Sequence, residues 1–266
     1  MTGIVIAAGR GLRMRPYTDE RPKCMLPVNG RPLLSFTLRG LREAGCDRIV
    51  IVTGHLADAI DAPGCTLVHN ADYERNNILH SLMFAREAFD DDVLITYSDI
   101  LVEPSVHRAL VSAPGDIVLS VDRDWRGYYE GRTRHPAAEA EKAYVRESDS
   151  GAVLTTIGKH LDPSDPTDGI CGEFLGLWKM TRAGARRFRQ HFEAIDARLG
   201  RDEPFRESAE WRNAYVTDLF ADLISPNDDI RCLLIERGWV ELDAPQDYER
   251  LPAMIGPQRL FSLDAS

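Results

Sequence analysis

The chain has 266 residues, of which 44% are hydrophobic and 28% are charged, and its formal net charge is −10. This length and composition are typical of a globular protein with a well-buried core. The acidic balance argues against a nucleic-acid binder or an anionic-membrane binder, because both need a broad basic surface. A nucleotide substrate stays open, since a few local arginines and a metal ion can hold a triphosphate on an acidic protein.

The cysteines and the apolar runs indicate the compartment. The five cysteines are scattered and form no C-x-x-C pair, which favours small buried fillers in a reducing environment. No apolar run approaches the roughly 18 residues that a membrane span needs, and no signal-peptide pattern precedes the first strand. We therefore expect a cytoplasmic protein.

Strand and helix patterns alternate over the first 120 or so residues. Buried strands are predicted at 3–7, 48–54, 65–70, 92–99 and 116–122, and helices at 31–45, 77–89 and 104–113. This rhythm predicts an α/β fold with a mainly parallel, Rossmann-like sheet flanked by helices. Ligands of such folds gather at the carboxyl ends of the strands. A glycine-rich loop, Asn70 and Asp99 each follow a predicted strand, so one site could collect them.

The pattern changes from about residue 122. Residues 122–141 are polar, aromatic and arginine-rich, which is typical of a long functional loop. The remaining predicted elements are strands at 142–148, 151–158 and 174–180, as in an antiparallel lid, helices at 181–199, 213–225 and 244–251, and a two-stranded hairpin at 230–243 that turns near Gly238. We expect one domain, 1–266, with a large insertion.

The loop after the first strand has the residue types of an anion site. Gly9 and Gly11 let backbone N–H groups approach an anion closely. Met14 stands where a dinucleotide fingerprint needs its third glycine, and no kinase-type G-x-x-x-x-G-K-[ST] string occurs. Arg13 offers a forked donor suited to terminal phosphates, and Lys23 is a mobile point charge.

The string A-A-G-x-G-x-R-M-x-P-x-T, followed by P-K, resembles the signature of the nucleotidylyltransferases. These enzymes transfer NMP from an NTP to a phosphorylated acceptor and release pyrophosphate. The resemblance implies that the loop, with Ala7, Ala8, Gly9 and Gly11, wraps the triphosphate. It also implies that Arg13 binds the β- and γ-phosphates and that Lys23 stabilises the α-phosphate in the transition state. In this family the fold is the α/β sheet predicted above, with an inserted acceptor-binding region.

A magnesium site is expected, because phosphoryl transfer depends on positioning and charge neutralisation. Asp99 ends a buried strand and is the natural first ligand. Residues 239–251 resemble the family's closing pattern, which makes Asp243 the second ligand, with helix capping as the alternative. Asp247 is the weaker candidate, since it lies within the closing helix. The sequence shows no Ser–His–Asp or Cys–His set that could supply a nucleophile. The nucleophile would be an ionised oxygen of the acceptor.

A second motif narrows the resemblance. Residues 70–82 read N-x-x-Y-x-x-N-N-x-x-x-S-L, as in bacterial choline-phosphate cytidylyltransferases and those that act on small phosphonates, and the G-E-F-L-G-L strand at 172–177 is shared by that branch. We expect hydrogen bonds to the base or the ribose from Asn76, Asn77 and Ser81. Ser98 is also expected to bind the nucleotide. Capping and turn formation are the alternative for the asparagines. CTP is the nucleotide that the resemblance implies.

The loop at 122–141 is the expected acceptor site. Aromatic side chains could cage a choline, but the arginines would repel a quaternary ammonium and attract an anion. The run D-x-x-W-x-x-x-Y…R-x-x-H-P…E-A-E resembles phosphonate-type cytidylyltransferases, so a small phosphonate is favoured over phosphocholine. Singly, each arginine could equally be solvated or paired with a nearby glutamate. The predicted acceptor-binding residues are Trp125, Tyr128, Tyr129, Arg132, Arg134, His135 and Glu173.

Three other functions stay open at this point. A sugar-1-phosphate nucleotidylyltransferase using UTP or dTTP shares the first loop but usually lacks the asparagine-rich motif. A nucleotide-sugar glycosyltransferase needs no such loop, and no D-x-D pair occurs at Asp99. A non-catalytic nucleotide-binding protein is the third option. It would not need the catalytic residue types, so the presence of Arg13, Lys23, Asp99 and Asp243 together argues against it.

The resemblance also assigns a role to each part of the domain and names the expected partners. Residues 1–121 would bind nucleotide, about 122–240 would bind the acceptor, and 241–266 would supply a metal ligand. The expected partners are CTP, Mg²⁺ and a small phosphonate or phosphate, with no nucleic acid and no membrane. A homodimer is one option for the oligomeric state.

Overall fold

The computed structural model describes residues 1–149, 151–162, 164, 169–225 and 230–254. Within these residues, nine strands form one central sheet. The strands of the protein are β1 (Thr2–Ala7), β2 (Pro27–Val28), β3 (Arg31–Pro32), β4 (Arg48–Thr53), β5 (Thr66–His69), β6 (Val93–Tyr97), β7 (Ile100–Val102), β8 (Ile117–Asp122), β9 (Lys142–Ser148), β10 (Gly151–Gly158), β11 (Ile170–Met180), β12 (Arg231–Ile235) and β13 (Trp239–Glu241).

The sheet has a parallel half and a mixed half. Its strand order is β5-β4-β1-β6-β11-β8-β12-β10-β9, and the first four strands are all parallel. β11 runs antiparallel to both of its neighbours β6 and β8, and β12 pairs parallel with β8. The predicted Rossmann-like α/β fold is confirmed, with the parallel pairing concentrated in the N-terminal part of the chain.

Helices cover both faces of the sheet. They are α1 (Leu33–Glu43), α2 (Ile78–Leu82), α3 (Pro104–Ser112), α4 (Arg182–Asp196), α5 (Val216–Leu223) and α6 (Pro245–Met254). Side chains alternate along β1, so that Ile4 and Ile6 pack on one face with Phe188 of α4, while Val5 packs on the other with Leu38 of α1. A strand buried on both faces is typical of a parallel sheet with helices on both sides.

Two predicted elements differ from the structure. The helix predicted at 77–89 is regular only over α2 and continues as 3-10 turns over Met83–Asp90. The hairpin prediction at 230–243 is wrong, because β12 pairs with β8 and β10 while β13 pairs antiparallel with β7. Arg237 and Gly238 both have positive φ, and this turn directs β13 out of the central sheet.

The buried carboxylate of Asp122 stabilises this exit. Asp122 accepts hydrogen bonds from Arg237 Nη1 and from Trp239 Nε1, both at 2.7 Å. A hairpin pattern cannot reveal such long-range partners, since they lie 115 and 117 residues away. The result is that residues 239–243 run beside β7, close to the end of β6.

All five cysteines are free, as their spacing predicts. No helix in the described part of the chain is both long and apolar enough to span a membrane. Residues 255–266 of the predicted closing segment lie outside the described residues.

Gly40 lets α1 and α3 approach closely. A Cβ atom at Gly40 would lie 2.7 Å from Cε1 of His107, whose side chain is buried. Overpacking of this kind costs about 1–3 kcal/mol, while glycine to alanine in a helix gains about 1 kcal/mol. We therefore expect Gly40→Ala to lower the free energy of unfolding in urea. In a His107→Ala background the obstacle is gone and the same substitution should raise it, whereas a loss in both backgrounds would contradict the packing explanation.

Candidate active site

The carboxyl ends of the parallel strands converge on one edge of the sheet. β1 ends at Ala7 and continues into the glycine-rich loop, and β6 ends at Tyr97, directly before Ser98 and Asp99. Gly11 has φ +60°, and its position allows the loop to fold back so that the Thr18 hydroxyl donates to the Gly11 carbonyl at 2.8 Å. The loop, the end of β6 and the start of α2 enclose a common space.

A cavity of about 410 Å³ lies at this edge. The structure brings every predicted nucleotide-binding residue to its lining, together with the predicted catalytic lysine and both predicted metal ligands. These lining residues are Ala7, Ala8, Gly9, Gly11, Arg13, Lys23, Asn76, Asn77, Ser81, Ser98, Asp99 and Asp243. A cavity of this size falls in the range of small-ligand sites.

Asn70 fixes the asparagine-rich side of this cavity. Its side chain is fully buried, and Nδ2 donates to Asn76 Oδ1 and to Ser81 Oγ, both at 2.9 Å. Asn77 is the residue before α2, but its side chain forms no capping bond and instead donates to the Asn213 carbonyl at 3.1 Å. The capping alternative therefore does not describe Asn77, and Asn70 positions the polar groups that line the cavity.

Lys23 lies between the two predicted metal ligands. Its Nζ donates to Asp99 Oδ2 at 2.8 Å and to Asp243 Oδ1 at 2.9 Å. Burial works to lower the pKa of Lys23, but the two carboxylates outweigh it and the pKa is raised. Lys23 is therefore held as a cation at the point where the loop, β6 and the segment after β13 meet.

Asp243 collects three basic partners. Besides Lys23, it accepts a hydrogen bond from Arg13 Nη2 at 2.7 Å and contacts Nδ1 of His135. Burial raises the pKa of this carboxyl, but Lys23, His135 and Arg13 together lower it well below its usual range. Asp247 satisfies the backbone N–H groups of Asp243 and Ala244, at 3.0 and 2.8 Å. Asp247 rather than Asp243 thus provides the capping bonds at α6.

The carboxylates form an acidic site that could hold a divalent cation. Asp99 and Asp243 both reach one point, now occupied by the Lys23 ammonium, so two oxygen donors of the kind that Mg²⁺ prefers already converge. Ligating atoms of His135, Glu241 and Asp243 also lie within 4.8 Å of one another. The carboxylates among these groups fit a hard divalent ion, which prefers oxygen ligands.

A second cavity of about 160 Å³ adjoins the first. The two share six lining residues, namely Arg13, Asn77, Ile78, Tyr97, Asp99 and Asp243. The rest of the second lining is rich in carboxyl groups, and its acidic and basic members are His135, Glu139, Glu141, Lys159, Glu173 and Glu241. The two spaces therefore meet at the Lys23, Asp99 and Asp243 cluster.

The predicted acceptor-binding residues take two kinds of position. His135 and Glu173 line the second cavity. Trp125, Tyr128 and Tyr129 are buried and line neither cavity, and Arg134 is exposed outside both.

Arg132 is held within the protein. It donates from Nε to Asp247 at 2.8 Å and from Nη2 to Glu241 at 3.2 Å, and its guanidinium lies over the rings of Tyr128 and Tyr129.

Several lining residues were not predicted from the sequence. Tyr73 lines the first cavity, Lys159 and Tyr215 line the second, and Tyr97 lines both. Tyr97 is the last residue of β6, directly before Ser98 and Asp99. Its position at the end of a predicted strand could have identified it as a site residue. Lys159 and Tyr215 lie far along the chain with no motif around them.

The fold and the motifs have counterparts in known proteins. CTP:phosphoglutamine cytidylyltransferase of Campylobacter jejuni is 24% identical over 260 residues, which cover 94% of this chain and 98% of that protein. CMP-5'-(3-aminopropyl)phosphonate synthase of Streptomyces rubellomurinus is 36% identical over 131 residues, which cover 46% of this chain and 21% of that protein.

A solved structure of CTP:phosphocholine cytidylyltransferase from Streptococcus pneumoniae superimposes with a TM-score of 0.70 at 21% identity, covering 95% of this chain and 97% of that one. This likeness bears on the fold. The family model of the MobA-like NTP transferase domain matches residues 3–204, well over half of the chain. The chain therefore belongs to the MobA-like NTP transferase family and is a nucleotidyltransferase.

Proposed function

We propose that this nucleotidyltransferase transfers CMP from CTP to the phosphate or phosphonate group of a small acceptor and releases pyrophosphate. The observation that carries the proposal is the pair of adjoining cavities that meet at Lys23, Asp99 and Asp243. A transfer between two substrates needs such a junction, because the attacking oxygen and the α-phosphorus must approach there. The names of the two curated relatives support a cytidylyl transfer.

The nucleotide would lie in the larger cavity. Backbone N–H groups of the loop around Gly9 and Gly11 suit the triphosphate, since small residues allow close approach. Arg13, which is 57% exposed, can turn from Asp243 to the β- and γ-phosphates. The same cavity is also lined by Asn76, Asn77 and Ser81, which would offer polar groups to the base and ribose.

The chemistry needs no side-chain nucleophile. An ionised oxygen of the acceptor attacks the α-phosphorus, a new P–O bond forms, and the bond to the β-phosphate breaks with its electron pair leaving on pyrophosphate. Lys23 lies at the junction and would donate to the α-phosphate as negative charge builds up there. Asp99 and Asp243 would hold Mg²⁺, which supplies further positive charge to the phosphates.

The second cavity bears on the acceptor. The sequence-based preference for a phosphonate over phosphocholine depends on free arginines that repel an ammonium. Arg132 is instead matched by Asp247 and Glu241, and Arg134 lies outside the lining. The carboxylate-rich lining favours acceptors that join a phosphate or phosphonate to a positively charged group. Small aminophosphonates and phosphocholine both meet this description, and the resemblance of the run at 122–141 to phosphonate-type cytidylyltransferases favours the aminophosphonates.

The nucleotide and acceptor can be tested in one screen. Pyrophosphate release is measured for CTP, UTP, ATP and GTP, each with phosphocholine, 2-aminoethylphosphonate, 2-hydroxyethylphosphonate and glucose 1-phosphate. We expect release only with CTP, and only with the small phosphonates or phosphocholine. Release with UTP and glucose 1-phosphate, and none with CTP, would overturn the proposal in favour of a sugar-phosphate enzyme.

Lys23→Ala should lower kcat by at least about 100-fold, because removal of a donor that stabilises transition-state charge has this effect. Lys179→Ala is the matched control. Lys179 is also a buried lysine, but it donates to the Val111 and Ala113 carbonyls and lines neither cavity. Steady-state rates of both variants, with thermal unfolding as a check on folding, decide the matter. A Lys23→Ala rate within a few-fold of wild type would contradict the assignment.

Arg132 is expected to act through protein structure. Arg132→Met leaves Asp247 and Glu241 without their buried cation, and breaking such a pair costs about 3–5 kcal/mol. Arg134→Met, at an exposed position, should change the free energy of unfolding by no more than about 0.5 kcal/mol. Urea unfolding of both variants is the measurement, and equal small effects would show that Arg132 has no such structural role.

A further inference from the structure

Glu173 lines the second cavity and has one carboxylate oxygen without a hydrogen-bond partner among the described residues. It lies on β11, its exposed fraction is 4%, and it lines the cavity. Tyr129 donates its hydroxyl to Oε1 of Glu173. The other oxygen, Oε2, is buried and has no hydrogen-bond partner among the residues that the structure describes. A buried carboxylate oxygen without a donor is costly, so this atom points to a ligand that supplies one.

The charges around Glu173 favour a cationic ligand. Glu141 and Glu241 line the same cavity, and burial together with the negative charge of Glu241 raises the pKa of Glu173 well above its usual range. A positive group would relieve this repulsion.

The basic side chains already at this cavity have other partners. Arg13 and His135 contact Asp243. Lys159 lies with Nζ 4.4 Å from the centre of the Tyr215 ring. No basic side chain of the described residues forms a hydrogen bond with Oε2 of Glu173.

Resting on the proposed function, we propose that Glu173 binds an N–H-bearing ammonium group of the acceptor through Oε2, and thereby selects a primary amine over a quaternary one. The distinction follows from chemistry. A primary ammonium offers three N–H donors, whereas a trimethylammonium group carries the same charge and offers none. Only the first satisfies Oε2, and hydrogen bonds to charged groups are among the strongest in proteins. The volume of about 160 Å³ suits a short chain between the ammonium and the phosphorus.

The test compares three ligands that differ only at this end. They are 2-aminoethylphosphonate, its N,N,N-trimethyl analogue and 2-hydroxyethylphosphonate. The affinity of the full chain for each ligand is measured by calorimetry. If a ligand binds only when nucleotide is present, its KM in CMP transfer is compared instead. We expect the amine to bind at least about 10-fold more tightly than the trimethyl analogue. Equal or tighter binding of the trimethyl analogue would overturn the inference.

Two variants locate the effect. Glu173→Gln should weaken 2-aminoethylphosphonate by at least about 10-fold and 2-hydroxyethylphosphonate by less than about 3-fold. Glu147→Gln removes an exposed carboxylate on β9 outside both cavities and should leave the ranking unchanged. An unchanged amine preference in a folded Glu173→Gln variant would overturn the role of Glu173. If this variant does not fold, the wild-type series decides.

The inference and the proposed function fail in different ways. CMP transfer to 2-hydroxyethylphosphonate without any amine preference would overturn the inference and leave the function standing. A Glu173-dependent amine preference in binding, without CMP transfer to any ligand, would support the inference and overturn the function. Absence of both binding and transfer with all three ligands would overturn the inference, and absence of transfer to phosphocholine as well would overturn the function.

Discussion

The ammonium of Lys23 lies between two carboxylates that belong to distant parts of the chain. Asp99 is 76 residues away in sequence and Asp243 is 220 residues away, yet both accept hydrogen bonds from one Nζ atom. Because the buried carboxylate of Asp243 needs a positive partner and the half-buried Asp99 shares the same ammonium, the glycine-rich loop, the end of β6 and the segment after β13 are held together there. Both cavities border on this cluster, so the site depends on that three-part contact.

The exit of β13 from the central sheet makes the cluster possible. If residues 230–243 formed a hairpin, β13 would pair with β12. Pairing with β7 instead brings Asp243 beside the residues that follow β6, and Leu242 N donates to the Asp99 carbonyl at 2.9 Å. The turn at Arg237 and the buried carboxylate of Asp122 direct the chain along this path. A local irregularity in the sheet thus supplies the carboxylate that closes the site.

The nucleotide side of the site could be predicted from the sequence for a simple physical reason. Parallel strands place their carboxyl ends at one edge, so residues that follow separate strands meet without any need to know the packing. The glycine-rich loop and Asp99 follow strands in this way, and they line one cavity. The motif around Asn76 and Ser81 is local, and one buried side chain, Asn70, fixes it. Short-range patterns carry enough information for this half.

The acceptor side could not be predicted as fully, because arginine and aromatic residues serve equally in ligand sites and in buried networks. Arg132 lies between the rings of Tyr128 and Tyr129 and the carboxylates of Asp247 and Glu241, partners that are 115 and 109 residues away. Only the fold determines whether such a side chain binds a ligand or belongs to a buried network. Held in this way, Arg132 fixes the loop that presents His135 to Asp243. The cations that indicated an anionic pocket in sequence are largely matched within the protein, and the surface left for a ligand is acidic.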